Sequence, residues 1–279
     1  MKKLASFDLA VVGKVAAILG LSLGLSLGLS CENAAAGAPP APFPTSAFNS
    51  ASASSWLGGA QTGYNWQSGS AVYGIEADIA GMDLKSEMNT TLSRNIPFLP
   101  NAPQPTANTV SNIDWYGTVR GRLGWATGPV LFYGTAGFAY GRVGIDSTLR
   151  DNAQPTSLGL QSSSVKTGWV AGFGVEYLLR PNLTLNLSYQ YVDLGSTSLA
   201  ASSPGGVLSQ NVNARGQFQV VSAGASWLFP APVAAGKNMP TKALPPVALA
   251  PWQGFYVGGH GGGAWGNRTD ARYFDNSAF

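Results

Sequence analysis

The stretch that most constrains this chain runs from Thr167 to Gly195, TGWVAGFGVEYLLRPNLTLNLSYQYVDLG. Its second half places Leu and Tyr on every other residue and Thr, Asn, Ser and Gln between them, and its first half alternates in the same way around a turn at residues 180–182. Because successive side chains of a strand point to opposite faces, this period of two predicts a β-hairpin. One face is apolar with aromatic ends and the other is small and polar. Repeated strands of this kind form membrane barrels.

The same alternation recurs along the chain and predicts seven strands between Trp56 and Phe229. They cover residues 56–66, 71–80, 114–126, 130–141, 167–179, 183–191 and 217–229. Their connections alternate between short turns and long polar segments, of which 81–113 and 143–166 are the first two and the third reaches Gly216. Outer-membrane barrels have short periplasmic turns and longer external loops. We therefore expect the long segments to be external loops.

Aromatic residues test this strand direction, because they were not used to assign it. The periplasmic strand ends carry Trp66, Tyr73, Trp125, Phe132, Tyr177 and Trp227, and the external ends carry Trp56, Trp115, Tyr140, Trp169 and Tyr191. Two aromatic girdles are typical of a transmembrane barrel. A soluble barrel of the lipocalin kind would show the same alternation, but its water-facing strands would carry lysines. Lys85 and Lys166 are expected in or beside loops, and no lysine falls within a predicted strand.

Charge content excludes other classes of protein. Only 10% of the 279 residues are charged, against about 25% in ordinary soluble domains. The net charge of +3 includes three lysines near the N-terminus, and no basic stripe is present that could follow a nucleic-acid backbone. No nucleic-acid partner is expected.

The first 36 residues have the features of a secretory signal peptide: early lysines, an apolar run and three small residues, 34–36, before Gly37. The apolar run is shorter than the ~20 residues of a transmembrane helix. Cys31 is the only cysteine, and the four residues ending at it also faintly match a lipoprotein cleavage box. Residues 37–55, rich in Pro, Ala and Ser, are predicted to be a flexible lead-in, and residues 230–251 a Pro/Ala-rich linker.

Several segments carry a resemblance to a known family. WLGGAQTGYNWQSGSAVYGIEADI, DWYGTVRGRLGWA, LFYGTAGFAYG and LTLNLSYQYVDLG resemble the porin-like outer-membrane β-barrel proteins common in alphaproteobacteria, which are similar in fold to the OmpA transmembrane barrel. The resemblance implies an all-β, antiparallel eight-stranded transmembrane barrel in the outer membrane of a Gram-negative cell, without a cofactor. It implies contact with outer-membrane lipid and lipopolysaccharide, insertion by the barrel-assembly machinery, and possible host or surface ligands at the loops.

The family's first strand, of the type W-x-G-F-Y-V-G-G, is missing before Trp56 and appears instead at residues 252–259. Residues 252–279 therefore either close the barrel through a strand at 253–266 or begin a truncated second barrel. Because an open barrel edge leaves unpaired backbone groups in lipid, we expect closure.

Five charged residues are predicted to point into the lumen: Glu76, Asp78, Arg120, Arg122 and Glu176. Strand alignment places Glu76 near Arg122 and Asp78 near Arg120, subject to a shift of two residues. Buried charges must be paired, so we interpret the cluster as a neutralised plug. No nucleophile–base pair accompanies it. The only histidine, His260, is expected to face the lumen, which argues against a metal site and against an enzyme acting on lipid at the outer rim.

These features favour a barrel with a filled lumen that serves envelope structure and surface interaction. A narrow porin for small solutes is the first alternative, and a surface lipid-modifying enzyme is the second.

Overall fold

The computed structural model describes residues 45–93, 103–152, 157–204, 208–230 and 252–275, which form an antiparallel β-barrel. Its eight strands are β1 (Thr45–Ser68), β2 (Ala71–Thr91), β3 (Thr106–Thr127), β4 (Val130–Arg150), β5 (Ser157–Arg180), β6 (Leu183–Ser202), β7 (Leu208–Pro230) and β8 (Gly254–Asp275). In the described ranges no helix is long and apolar enough to span a bilayer.

The C-terminal strand closes the ring. β8 pairs with β7 on one side, from Leu208↔Asp275 to Pro230↔Gly254, and with β1 on the other. The predicted eight-stranded barrel is therefore confirmed, with the strand after the linker in the last position of the ring. Closure satisfies the backbone groups of every strand at membrane depth, where lipid offers no hydrogen-bond partner.

The strands are longer than the sequence predicted. Each has 20–24 residues, whereas a tilted transmembrane strand needs about 9–11. β1 begins at Thr45, so the flexible lead-in predicted over 37–55 is wrong from that residue onward. β8 continues past residue 266 to Asp275. The signal peptide, Cys31, residues 37–44 and the linker residues 231–251 lie outside the described residues.

The three predicted external loops are also mostly strand. β2 and β3 extend into residues 81–113, β4 and β5 into 143–166, and β6 and β7 into the segment that ends at Gly216. Lys85 and Lys166, expected in or beside loops, lie within β2 and β5. These segments resembled loops because their polar side chains face outward. The apolar side chains that alternate with them face inward, which is the reverse of the pattern in the predicted strands.

This change of phase divides the barrel into two sections. The membrane section runs from the short turns to the external girdle, and the external section is the part of the strands beyond it. In the external section the inner face is buried around most of the ring. It is mainly apolar, with Met82, Leu84, Met88, Leu92, Ile113, Val143, Ile145, Leu149, Val192, Leu194, Leu208, Val212, Phe218 and Tyr273, and it also buries Ser86, Thr109, Ser111, Ser147 and Gln210. Its outer face is exposed and polar: Asp83, Lys85, Glu87, Asn108, Arg142, Asp146, Arg150, Gln161, Arg215 and Arg272.

Register irregularities mark the boundary between the sections. They fall between Gly81 and Leu84 on β2, between Ile113 and Tyr116 on β3, and between Asp193 and Ser196 on β6. Further shifts on β1 and β7 lie at the same level. An extra residue in one strand redirects the side chains that follow it. On β3 this brings both Ile113 and Tyr116 to the interior.

Aromatic residues of the predicted girdles pair with one another at both ends of the membrane section. Trp66 stacks on Tyr73 at the periplasmic end, and Trp169 contacts Tyr191 at the external end, with ring centroids 5.9 and 5.4 Å apart. Trp56 and Trp66 are ten residues apart on β1. At a rise of ~3.3 Å per residue and a tilt of ~45°, the girdles are about 23 Å apart, the height of an outer-membrane apolar band.

Candidate functional site

The five predicted lumen residues come together in one buried cluster, the lumen network. Glu76 and Asp78 point inward from β2, Arg120 and Arg122 from β3, and Glu176 from β5. All five are at most 5% exposed. Alternation produces this clustering, because every second residue of a strand faces the same side and β2 and β3 are neighbours.

Each arginine of the network joins carboxylates from different positions. Arg120 Nη2 donates to a Glu76 carboxylate oxygen, and it also donates to Asp78 Oδ2 at 2.6 Å. Arg122 Nη2 lies 2.9 Å from Glu176 Oε2, and Arg122 Nη1 lies 3.6 Å from Glu76 Oε2. Arg122 therefore links strands β2 and β5 across the interior, and Glu76 contacts both arginines.

The register corrects one detail of the expected pairing. Glu76 lies directly opposite Arg120, and Gly74 lies opposite Arg122. The predicted alignment was offset by two residues, and the long guanidinium side chains still bring Asp78 to Arg120 and Glu76 to Arg122.

Polar and aromatic neighbours complete the network, and the sequence did not assign them a role. Tyr256 Oη donates to Glu76 Oε2 at 2.5 Å and accepts from Arg122 Nη1 at 3.2 Å. Thr118 Oγ1 donates to Asp78 Oδ1 at 3.0 Å. The Arg122 guanidinium lies 3.9 Å from the centre of the Tyr133 ring. Strand parity had placed Tyr133 and Tyr256 on the lumen face, which was the available signal.

Apolar layers close the lumen on both sides of the network. At the periplasmic end, Trp252 is 1% exposed and packs with Val72 and Leu131. Its backbone N–H donates to Gln67 Oε1 at 2.9 Å. Toward the outside, Tyr116 and Phe218 meet edge to face with centroids 5.2 Å apart. The charged layer therefore lies between two apolar layers.

His260 faces the lumen, as the parity of β8 predicted, and is 9% exposed. Two glycines make room for its ring: a Cβ at Gly59 would lie 2.8 Å from His260 Nε2, and one at Gly224 would lie 2.9 Å from His260 Cβ. The described residues around His260 belong to the barrel interior, and its ring lies away from the lipid-facing rim. Within the described ranges, no group of three or more His, Cys, Asp or Glu could hold a metal ion.

A closed antiparallel barrel with two girdles and a charged lumen is the architecture of an outer-membrane protein. The sequence matches the outer membrane protein beta-barrel domain family over residues 18–229. The chain belongs to this family. Its homologues are outer-membrane proteins, and this outer-membrane β-barrel protein is accordingly localised in the outer membrane of a Gram-negative cell.

Two relatives are alphaproteobacterial. The chain is 38% identical over 149 residues to the 31 kDa outer-membrane immunogenic protein of Brucella melitensis, which covers 53% of this chain and 57% of the relative. It is 34% identical over 137 residues to the 22 kDa outer membrane protein of Rhizobium leguminosarum, covering 48% and 51%. The chain thus spans about half the length of the curated relatives it matches, and they are named as membrane proteins or immunogens rather than enzymes.

Among solved structures, the attachment invasion locus protein Ail of Yersinia pestis is similar, with 14% identity. The alignment covers 77% of this chain and 97% of Ail at a TM-score of 0.23.

Proposed function

We propose that this outer-membrane β-barrel protein is a non-conducting anchor that presents its external section to ligands at the cell surface and contributes to envelope structure. The observation that carries the proposal is a contrast between two parts of the barrel. Within the membrane, paired charges and apolar layers fill the lumen. Beyond the membrane, the strands continue as a well-packed structure.

The filled lumen supports a non-conducting role. Side chains of the ion-paired residues are between 1% and 5% exposed. Farther round the barrel, Gln61 Nε2 donates to Ser226 Oγ at 2.8 Å and so joins β1 to β7. The interior of an eight-stranded barrel is just wide enough for side chains to fill it. Water therefore has little space in which to form a continuous column past these layers.

The external section supports a role at the surface. On β2 it begins beyond Gly81 and ends at Thr91, which corresponds to a height of about 23 Å above the girdle at a tilt of ~45°. Its interior is a hydrophobic core, so it holds a defined shape in water. The sequence assigned surface contacts to loops, and the strands of the external section offer a larger and more rigid platform for them.

The chemistry of the lumen does not favour catalysis. The network consists of carboxylates, guanidinium groups and a phenol that neutralise and hydrogen-bond one another, without a nucleophile–base pair. We infer that it stabilises the barrel. Lipid and lipopolysaccharide around the girdles, and the barrel-assembly machinery during insertion, are the other partners that we propose.

Conductance of the purified, folded protein in a planar lipid bilayer tests the non-conducting role. We expect no unit steps at protein amounts that give regular steps with a general porin prepared in the same way. Regular unit steps that scale with the amount of protein would contradict the proposal and favour a narrow porin.

A further inference from the structure

The external section is not closed everywhere. β5 and β6 pair only from Trp169↔Asp193 down to Arg180↔Leu183. Above this level β5 continues to pair with β4 as far as Arg150↔Ser157, and β6 continues to pair with β7 as far as Ser202↔Ser209. Two strand edges therefore face each other without a shared ladder. We call this gap the seam, bounded by residues 157–168 and 194–202.

The backbone of β5 presents hydrogen-bonding groups to the seam. Leu178 N–H donates to the carbonyl of Pro129, and the β4–β5 register continues from there without a shift. In an antiparallel ladder the paired residues alternate, so the even-numbered residues of β5 bond to β4. The odd-numbered residues direct their N–H and C=O groups away from β4, and in the seam these are Ser157, Gly159, Gln161, Ser163, Val165 and Thr167.

The inner face of β5 is accessible through the seam. Its even-numbered residues from Leu158 to Gly168 are half-buried, whereas Val143, Ile145 and Leu149 on the adjacent β4 are buried. Gln210 Nε2, from β7, donates to the Leu158 carbonyl at 3.4 Å and holds the far end of β5 from inside the barrel. The edge is thus an ordered strand with an open side.

Side chains along this inner face define a pattern. From the membrane outward they are Lys166, Ser164, Ser162, Leu160 and Leu158. In the described part of the chain, no carboxylate lies within ion-pair distance of Lys166, although the other described lysine, Lys85, pairs with Asp83 at 3.0 Å. The edge therefore combines free backbone groups with an uncompensated cation at one end and leucines at the other.

We propose that the seam binds an extended segment of another polypeptide, which adds as a strand antiparallel to β5. An acidic side chain of this segment lies over Lys166, small polar side chains follow, and apolar side chains lie against Leu160 and Leu158. This inference deepens the proposed surface function and rests on it. Main-chain hydrogen bonds supply affinity in such strand addition, and alternate side chains supply specificity.

The charge pattern distinguishes this partner from a second copy of the chain. The unpaired β6 edge of another copy is the antiparallel strand that would match β5. Its residues 195–202, GSTSLAAS, contain no acidic side chain to meet Lys166. A partner with a carboxylate at that position is the better complement.

The test uses the full-length protein in lipid nanodiscs and a fluorescent nonapeptide, Asp-Thr-Ser-Thr-Thr-Thr-Val-Thr-Val, with binding measured by fluorescence anisotropy. Wild type should bind it saturably. The second, fourth, sixth and eighth residues of the peptide, all Thr, direct their backbone amides toward β5, and N-methylation of these amides should abolish binding. Lys166→Glu should weaken binding by about fivefold or more, because an attraction becomes a repulsion. The same variant should bind a peptide with Lys in place of Asp better than wild type does. Lys85→Glu is the matched control and should leave both affinities unchanged.

A second variant tests the backbone contribution. Val165→Pro removes a donor that faces the seam but leaves the β4 ladder intact, and should abolish binding. The heat-modifiable gel shift of folded barrels verifies that each variant is folded. The proposal is overturned by absent saturation with wild type at about 1 mM peptide, by equal binding of the N-methylated peptide, or by an unchanged affinity in Lys166→Glu. A wild-type dimer on native gels that Val165→Pro converts to monomer would identify a second copy as the occupant and also overturn it.

These outcomes are independent of bilayer conductance. A conducting protein that binds the peptide through Lys166 would contradict the non-conducting anchor and leave the strand addition standing. A protein that gives no conductance steps and does not bind the peptide would contradict the strand addition and leave the non-conducting anchor standing.

Discussion

The membrane and external sections are built from the same eight strands but have opposite polarity. On β2, Glu76 faces the interior and Ile79 is 54% exposed on the outside. A few residues farther along the strand, Leu84 is buried and Lys85 is exposed. On β2 the alternation of side chains continues through both sections, and only the side that carries the apolar residues changes.

The comparison shows that the surroundings of a strand, rather than its backbone, decide which face is apolar. Lipid outside the membrane section selects apolar outer residues, and the charges inside must pair. Water outside the external section selects polar outer residues, and the interior then becomes a hydrophobic core. Register shifts near Gly81, Ile113 and Asp193 lie at the boundary between the membrane section and the external section.

Removal of β8, the strand that closes the ring in both sections, should have the largest effect. Deleting residues 252–279 removes β8 and leaves β7 and β1 with open edges, each with unpaired backbone groups in lipid. We expect loss of the heat-modifiable compact band on gels, which the full-length protein should show. If the truncated chain retained this band, closure by β8 would be wrong.

Arg120→Ala tests the interior of the membrane section. It removes an ion-pair partner from two buried carboxylates, Asp78 and Glu76, and we expect a loss of about 3–5 kcal/mol in the free energy of unfolding. Denaturant titration in lipid measures it. Arg142→Ala is the matched control, since Arg142 is exposed and bonds only to Ser163 Oγ among the described contacts, and it should leave stability unchanged. Equal stability of the two variants would show that the lumen is solvated.

Leu84→Ala tests the interior of the external section. Leu84 is fully buried, and truncating it should cost about 3 kcal/mol through lost burial and a residual cavity. Lys85→Ala, one residue along the strand, should leave the unfolding midpoint unchanged in the same titration. A harmless Leu84→Ala would indicate that the external section lacks a packed core.

Val119→Arg tests the outer face. Val119 is 51% exposed and lies midway between Trp115 and Trp125 on β3, and arginine there should cost about 2–4 kcal/mol in bilayers. Leu185→Arg, near the periplasmic girdle, should cost only about 0–1 kcal/mol. Asn108→Arg, outward in the external section of β3, should leave stability unchanged. A similar cost at all three positions would contradict the assigned membrane depth.

The membrane section could be predicted from the sequence because its pattern is consistent at every level. Period-two alternation, short turns and girdles agree on strand, direction and face, and family resemblance identifies β8 as the displaced strand. The external section was predicted to be loops for two physical reasons. Its Ser, Thr and Asn residues resemble turn residues, and the register shift before Tyr116 interrupts the alternation. Met82, Leu84 and Met88 alternate in the sequence and were the signal that loops were the wrong interpretation.

The lumen network could be predicted in membership but not in detail. Strand parity assigned all five charged residues to the interior. The pairing of Glu76 with Arg120 depends on a register that side-chain patterns define only to within two residues. Contacts of Tyr256 and Trp252 arise from closure of the ring, which brings β8 beside strands distant in sequence. The seam between β5 and β6 also depends on where pairing stops, for which the sequence gives no rule.

The most direct test of the account is a depth profile along the outer face of β2. Single cysteines replace Tyr73, Ile75, Ala77, Ile79, Asp83, Lys85, Glu87 and Asn89 in turn, with Cys31 changed to Ser. Each is spin-labelled in liposomes, and its collision rates with oxygen and with a water-soluble nickel complex are compared. The account predicts lipid exposure up to Ile79 and an abrupt change to water exposure from Asp83 outward. Lipid exposure that continues to Glu87, or water exposure at Ile75 and Ala77, would contradict the division into two sections.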